Sequence, residues 1–282
     1  MKDVVNLIRN AFLYYSQFVG KIIVIKYGGS VIETIRDYKE IVLMKKLGIH
    51  PVIVHGGSKQ ITKFMKMINK EPEFINGLRV TDSATVEISQ AVLSGLSKTI
   101  AKLINRDGGS GVGIGGADAN MVIVEKHFVE GDKSSIDLGF VGDVKKVNPD
   151  LIVRLSEKGF IPVIATGGVG EDGQAYNINA DTFSANIAVA LNAEKLIMVT
   201  DKDGILRDEN NPSTLIPTMT ILEAKELIVD GTIKTGMLPK IEACFTALNG
   251  GVNKVHIVKG STNNIFLEVF TSDGVGTEIK HA

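Results

Sequence analysis

Two lysines, an aspartate, an arginine and two glycine pairs supply the residue types from which a phosphate-handling site is built. Lys26 precedes Tyr27, Gly28 and Gly29 directly behind an apolar run over 22–25, and His55 precedes Gly56 and Gly57 behind a second run over 52–54. Glycine lets backbone N–H groups approach a phosphate or carboxylate with no side chain in the way, and a lysine or histidine beside the turn adds an anion-binding group. The chain reads as an enzyme acting on a small anionic substrate. Gly111, Gly113, Gly115 and Gly116 superficially match a dinucleotide fingerprint. That motif must follow a strand and open a helix, whereas here a helical pattern precedes it and a strand-like run follows. A Walker-type loop is also missing, because no Gly-Lys-Ser/Thr triplet stands at the required spacing.

These groups need elements to position them. Apolar residues at Val4, Val5, Ile8, Ala11, Phe12, Tyr15 and Phe18 recur at three- and four-residue steps, the period of an amphipathic helix. Strand-like runs at 22–25, 52–54, 121–125, 161–165, 196–200 and 255–258 are nearly continuous in apolar residues, as expected of strands covered on both faces. Helical patterns alternate with them over 38–47, 60–68, 83–105, 149–158, 182–191, 221–229 and 238–248. This βαβ rhythm predicts an α/β fold, a three-layer αβα sandwich around a central, mainly parallel sheet, with ligands at the carboxyl ends of the strands. A run over 136–144, broken by Gly139 and Gly142, reads as a hairpin or edge element with a lid role.

Composition narrows the function classes. The 282 residues are 44% hydrophobic and 22% charged with a formal net charge of -1, so nothing in the overall balance favours nucleic acid or an anionic membrane as partner. The single cysteine, Cys244, permits no internal disulfide and suits a buried, reduced position. The five histidines lack the His-x-x-x-His spacing of a zinc helix, so no protein metal site is expected. Residues 11–20 are uncharged, but Ser16 and Gln17 interrupt them and no small-residue cleavage site follows. The expected location is the cytoplasm or an organelle stroma.

The motifs Lys26-Tyr27-Gly28-Gly29-Ser30, His55-Gly56-Gly57, Gly77-Leu78-Arg79-Val80-Thr81-Asp82, Gly139-Phe140-Val141-Gly142-Asp143-Val144, Asn177-Ile178-Asn179-Ala180-Asp181, Thr200-Asp201-Lys202-Asp203-Gly204 and Gly236-Met237-Leu238-Pro239-Lys240 occur in the order found in the amino acid kinase family. The resemblance runs from about Val4 to Ile279 and is strongest to the branch that phosphorylates the γ-carboxylate of N-acetyl-L-glutamate with ATP, in arginine synthesis. It implies that Lys26 and Lys240 hold the transferring phosphoryl from opposite sides while Asp181 orients both. Gly28 and Gly29 would bind phosphate, and Gly56 and Gly57 the attacking carboxylate, through N–H groups in the manner of an oxyanion hole. Arg79 would take the substrate α-carboxylate in a bidentate fork and Asn177 its acetamido group. Thr200, Asp201, Lys202, Asp203 and Gly204 would bind the nucleotide, with Mg²⁺ carried in by ATP oxygens and water. Taken singly, Arg79 equally suits a surface ion pair, Asn177 a turn and Asp181 a helix N-cap.

A glycine-rich stretch (Gly167, Gly168, Gly170, Gly173) gives way to a helical pattern at Thr182, so a lobe boundary falls after Asp181. With the resemblance, 21–181 reads as the amino-acid-substrate lobe and 182–282 as the nucleotide lobe, and 1–20 as an N-terminal helix that serves as an oligomerisation arm or packs on its own lobe. Relatives with such a helix join dimers into hexamers and are inhibited by arginine, and Tyr15, His256, Glu268, Gly274 and Gly276 match the inhibitor segment. A homodimer or hexamer is therefore expected. The alternatives are a kinase for a blocked α-aminoadipate on a carrier protein, and a catalytically weakened arginine sensor. The chain departs from the family pattern at Ser58 and Lys59, where a third glycine and a proline are usual. It departs again at Ala117, in place of a lysine, and at Thr166 and Gly167. Lys59 is a candidate to restore the missing charge.

Overall fold

The computed structural model describes residues 2–129, 136–234, 236–260, 265, 268 and 274–281. Helix α1 (Lys2–Ser16) leads into β1 (Ile22–Tyr27), the short helices α2 (Gly29–Ile32) and α3 (Lys39–Lys46), and β2 (His50–His55). Helix α4 (Ser58–Met67), a small hairpin of β3 (Phe74–Ile75) and β4 (Leu78–Arg79), and the long α5 (Ser83–Arg106) follow. Next come β5 (Gly111–Gly115), the antiparallel pair β6 (Val122–Val129) and β7 (Ile136–Val147), α6 (Asp150–Glu157) and β8 (Ile161–Ala165). Strands β9 (Gly168–Gly170) and β10 (Ala175–Tyr176) lead to α7 (Ala180–Ala190) and β11 (Lys195–Thr200). Beyond them lie β12 (Thr218–Thr220), α8 (Ile221–Val229), α9 (Leu238–Asn249), β13 (Lys254–Lys259) and β14 (Thr277–Lys280).

Eight strands form one sheet in the order β12-β14-β13-β11-β1-β2-β8-β5, and every neighbouring pair is parallel except β13 with β14. Both faces are covered, because alternate residues enter different cores. Val24, Val52 and Val54 pack with Phe183, Ile187 and Ile241 of α7 and α9. Ile23, Ile25 and Ile53 pack with Ile41, Ile100 and Ile104 of α3 and α5. Each such side chain, removed fully from water, contributes roughly 1.5–3 kcal/mol, which is why the continuous apolar runs become central strands. β1 pairs with β2 on one side and β11 on the other, so Lys26 lies in register with Val54 and Met198. The carboxyl ends of β1, β2, β8 and β11 thereby meet at one edge of the sheet.

Three details differ from the sequence reading. The glycine run 111–115 is itself the edge strand β5, and its glycines are required by contact with α5: a Cβ on Gly113 would come within 3.0 Å of Ser97, and one on Gly111 would come as close to Ala101. The strand near 121–125 does not join the main sheet, because β6 pairs antiparallel with β7 and parallel with β9 in a separate four-stranded sheet. Helix α7 starts at Ala180 rather than 182, so the boundary drawn after Asp181 falls inside its first turn.

Candidate active site

Lys26 follows Val24 by two residues and so projects from the α7 face of β1. Its Nζ lies 2.7 Å from Asp181 Oδ1, and Lys240 Nζ lies 2.9 Å from the same oxygen and 3.1 Å from Oδ2. Asp181 is free to serve both lysines because Asn179 caps α7 in its place, accepting the Asp181 and Thr182 N–H groups at 2.8 and 3.3 Å. Burial alone would raise the Asp181 pKa, but Lys26 and Lys240 outweigh it and hold the carboxyl at about 2. Lys26 is shifted downward, chiefly by burial, with Asp181 opposing and Lys240 reinforcing the shift. Lys240 sits in the first turn of α9, where the helix dipole disfavours a cation, so its position serves the site rather than the helix.

Lys26 and Asp181 line a cavity of about 210 Å³ whose walls also include Gly28, Gly29, Gly56 and Gly57. Arg79 and Asn177 line it too. Arg79 is buried rather than paired at the surface. Its guanidinium donates to the Ser58 carbonyl (2.9 Å), Ser58 Oγ (3.0 Å) and Thr62 Oγ1 (2.9 Å) and stacks over Phe74 at 4.6 Å. No carboxylate neutralises it among the described residues, and burial pushes its pKa down. Ser58, one of the departures from the family pattern, thus steadies the arginine fork. Asn177 is fixed through its main chain, which bonds Phe140 and Gly142 of β7 at 2.9 Å, so its carboxamide is presented from a sheet rather than a free turn.

The glycine pairs divide their work. Gly28 N–H donates to Val199 O and Gly56 N–H to Tyr27 O, so these two amides are spent within the fold. The amides of Gly29 and Gly57 donate to no group among the described residues, and a Cβ on Gly57 would collide with Leu93 and Leu96 at under 3.0 Å. His55, offered by the sequence as an anion-binding neighbour, does not serve that purpose. It is fully buried, with Nδ1 donating to Gly56 O (3.0 Å) and Nε2 accepting from Ser97 Oγ (2.8 Å). Burial lowers its pKa to about 4, so the ring is neutral near pH 7. Lys59 is exposed on α4 and lies outside the cavity wall, so it does not replace the lysine absent at Ala117.

A second cavity, of about 560 Å³, is lined by Thr200, Asp201, Lys202, Asp203 and Gly204, and by Lys240 from the other side. Gly204 has φ +142°, and a Cβ there would strike Leu215 and Thr277. Asp203 is held by Lys259 at 2.8 Å. The Lys26–Asp181–Lys240 cluster thus joins the two cavities, one lysine lining each. No cluster of three metal-binding side chains occurs among the described residues.

His256 and Glu268 form a buried pair, Nδ1 to Oε1 at 2.7 Å, and Glu268 Oε2 also accepts the Val275 and Gly276 amides at 2.8 and 3.3 Å. A Cβ on Gly274 would press on the Glu268 carboxylate, and one on Gly276 on the Ile257 carbonyl. Tyr15 packs half-buried against the adjoining core, whereas Tyr14 and Phe18 face Lys195, which lies 5.8 and 4.7 Å from their rings. Burial lowers the Lys195 pKa to about 8, with Lys254 adding to the shift and Glu278 and Glu268 opposing it. The sequence reading gave no role to Tyr14, Lys195, Asn179 or Ser58. Only Asn179 carried a local signal, as an Asn directly ahead of a helix.

A parallel sheet with glycine turns at its strand ends, two lysines on one aspartate and two adjoining cavities is the frame of a phosphoryl-transfer protein. The chain belongs to the amino acid kinase family, whose profile matches residues 21–259. It is 46% identical over 275 residues to the acetylglutamate kinase of Thermoanaerobacter pseudethanolicus, covering 95% of this chain and 90% of that protein. It is 42% identical over 290 residues to the acetylglutamate kinase of Methanocaldococcus jannaschii, covering 99% and 97%. Among solved structures, the Neisseria gonorrhoeae N-acetylglutamate synthase complexed with coenzyme A and N-acetyl-glutamate matches 99% of this chain at TM-score 0.84 and 25% identity, and this chain spans 63% of that longer one. Carbamate kinase from Giardia lamblia bound to AMP-PNP covers 93% of this chain and 99% of its own at TM-score 0.64 and 16% identity, a likeness of fold.

Proposed function

We infer that the chain is a phosphotransferase that moves the γ-phosphoryl group of ATP to the γ-carboxylate of N-acetyl-L-glutamate, giving N-acetyl-L-glutamyl 5-phosphate for arginine synthesis. The observation that carries this reading is the charge around the acceptor: Lys26 and Lys240 share one carboxylate, Asp181, and Arg79 lines the same cavity as Lys26 with no carboxylate on it, a local excess of two positive charges. Bringing a carboxylate against a nucleotide phosphate needs that excess, because the transfer rests on positioning and charge neutralisation. In this reading Arg79 and Asn177 orient the acceptor, and the Gly29 and Gly57 amides meet oxygens of the reacting groups. Lys26 and Lys240 bear on the phosphoryl from the two cavities, and residues 200–204 hold the nucleotide. The acceptor oxygen forms its bond to phosphorus as the bond to the ADP oxygen breaks. A divalent ion brought in on the nucleotide oxygens would supply further neutralisation when bound. A coupled ADP-release assay with N-acetyl-L-glutamate and an amino-blocked α-aminoadipate tests the assignment, and preference for the latter overturns it.

We propose arginine as an inhibitor bound beneath α1. The support is a mismatch: neutral His256 spends its Nδ1–H on Glu268, leaving Nε2 as a buried acceptor with no hydrogen-bond partner among the described residues, 3.9 Å from Glu278 Oε2. Glu278 Oε2 already accepts from Lys254 Nζ at 2.8 Å, so the open acceptor is His256 Nε2, which a guanidinium N–H would satisfy. Calorimetry with arginine, alongside the kinase assay, decides this. Binding without turnover of any acceptor would favour the sensor alternative, and no binding removes the proposal.

A further inference from the structure

A cavity of about 160 Å³ lies beside the acceptor cavity, and Leu93, Thr166 and Asn177 line both. Its other walls include Ser89, Gln90 and Ser94 of α5 and the turn bearing Ala117 and Asp118. The space greatly exceeds the roughly 10–15 Å³ that one water requires. Gly115, Gly116, Gly167 and Gly168 also line it, and Gly116 and Gly168 pack so closely that a Cβ would collide with the Gly167 and Val122 carbonyls. Thr166 is buried, with its N–H on His55 O, and no structural bond claims its hydroxyl among the described residues.

The shared wall indicates what this space is for. Arg79, Lys26 and the glycine pairs line only the first cavity. An acceptor with one carboxylate at Arg79 and the other at the lysine end has a third substituent, the N-acyl group, left to face Leu93, Thr166 and Asn177. Resting on the function proposed above, we propose that this 160 Å³ cavity extends the acceptor site and admits unbranched N-acyl groups longer than acetyl. Asn177 and the Thr166 hydroxyl then hold the amide, and the acyl chain passes between them toward Ser94 and Ala117.

The test compares N-acetyl-, N-propionyl- and N-butyryl-L-glutamate at saturating MgATP in the wild type, Ser94→Leu and Ala117→Leu. Both positions are exposed, line the 160 Å³ cavity but not the acceptor cavity, and lie apart from the groups that bind the acetyl substrate. The wild type is expected to use the butyryl substrate with a kcat/KM within tenfold of the acetyl one. Either leucine should lower the butyryl value at least tenfold and leave the acetyl value unchanged. A wild-type loss above tenfold, or leucine variants that both keep the butyryl-to-acetyl ratio, overturns the extension. Wild-type failure on N-acetyl-L-glutamate itself is a separate result and sinks the parent reading. Thermal melts confirm folding, and each leucine variant stands in for the other should one not fold.

Discussion

Asp181 holds two ammonium groups within 3.1 Å, an arrangement that orients both lysines and leaves each facing a different cavity. Lys240→Ala removes a preorganised donor from the transferring group, and kcat should fall by about 3 kcal/mol of transition-state stabilisation, with an unchanged melting temperature as the control. Arg79→Ala leaves the phosphoryl end intact, so steady-state kinetics should show a raised acceptor KM with a much smaller change in kcat. The pH profile follows from Lys26. Burial lowers its pKa below the ordinary 10.5, and the site needs the charged form, so kcat/KM should fall on the alkaline side below pH 10.5. Bound phosphate opposes that loss, so the limb for kcat at saturation should lie at higher pH. Asp181 acts at the other end: its depressed pKa contributes stability above pH 3.8, which is lost as pH falls toward about 2.

At the scale of elements, the site depends on where helices begin. Asn179 ends the approach to α7 so that Asp181 becomes a first-turn residue with a free carboxylate. Asn179→Ala should cost about 1 kcal/mol in denaturant unfolding. It should also lower kcat more than KM, since the freed Asp181 and Thr182 amides then compete for the carboxylate that positions the lysines. If stability falls while kcat stays intact, the cap is structural only. Helix α4 plays a comparable part, since its first residue, Ser58, and Thr62 in its next turn hold the Arg79 fork. The strand order adds the rest: β1 lies between β2 and β11, which brings the Lys26, Gly56 and Thr200 ends together across 174 positions of sequence.

For the whole molecule, α1 leaves the adjacent side chains of Phe12 and Leu13 at 62% and 66% exposure. If this face joins copies of the chain, Phe12→Glu should reduce the mass measured by light scattering to that of a smaller assembly while leaving kcat unchanged. An identical mass would discard α1 as the joint. Much of this molecule was legible in the sequence. Continuous apolar runs specify two-sided strands because burial rewards every residue, and the glycine pairs with Lys26, Arg79, Asp181 and Lys240 pointed to a phosphoryl-transfer site through residue type and order. Tertiary structure decided what depends on proximity between distant segments. Only packing could show that α5 turns a glycine run into an edge strand, that His55 is neutralised by burial, and that Lys59 stays in solvent. The same packing put Leu93, Thr166 and Asn177 between two cavities, because side-chain direction and shared walls are set by the whole fold and have no signature in spacing along the chain.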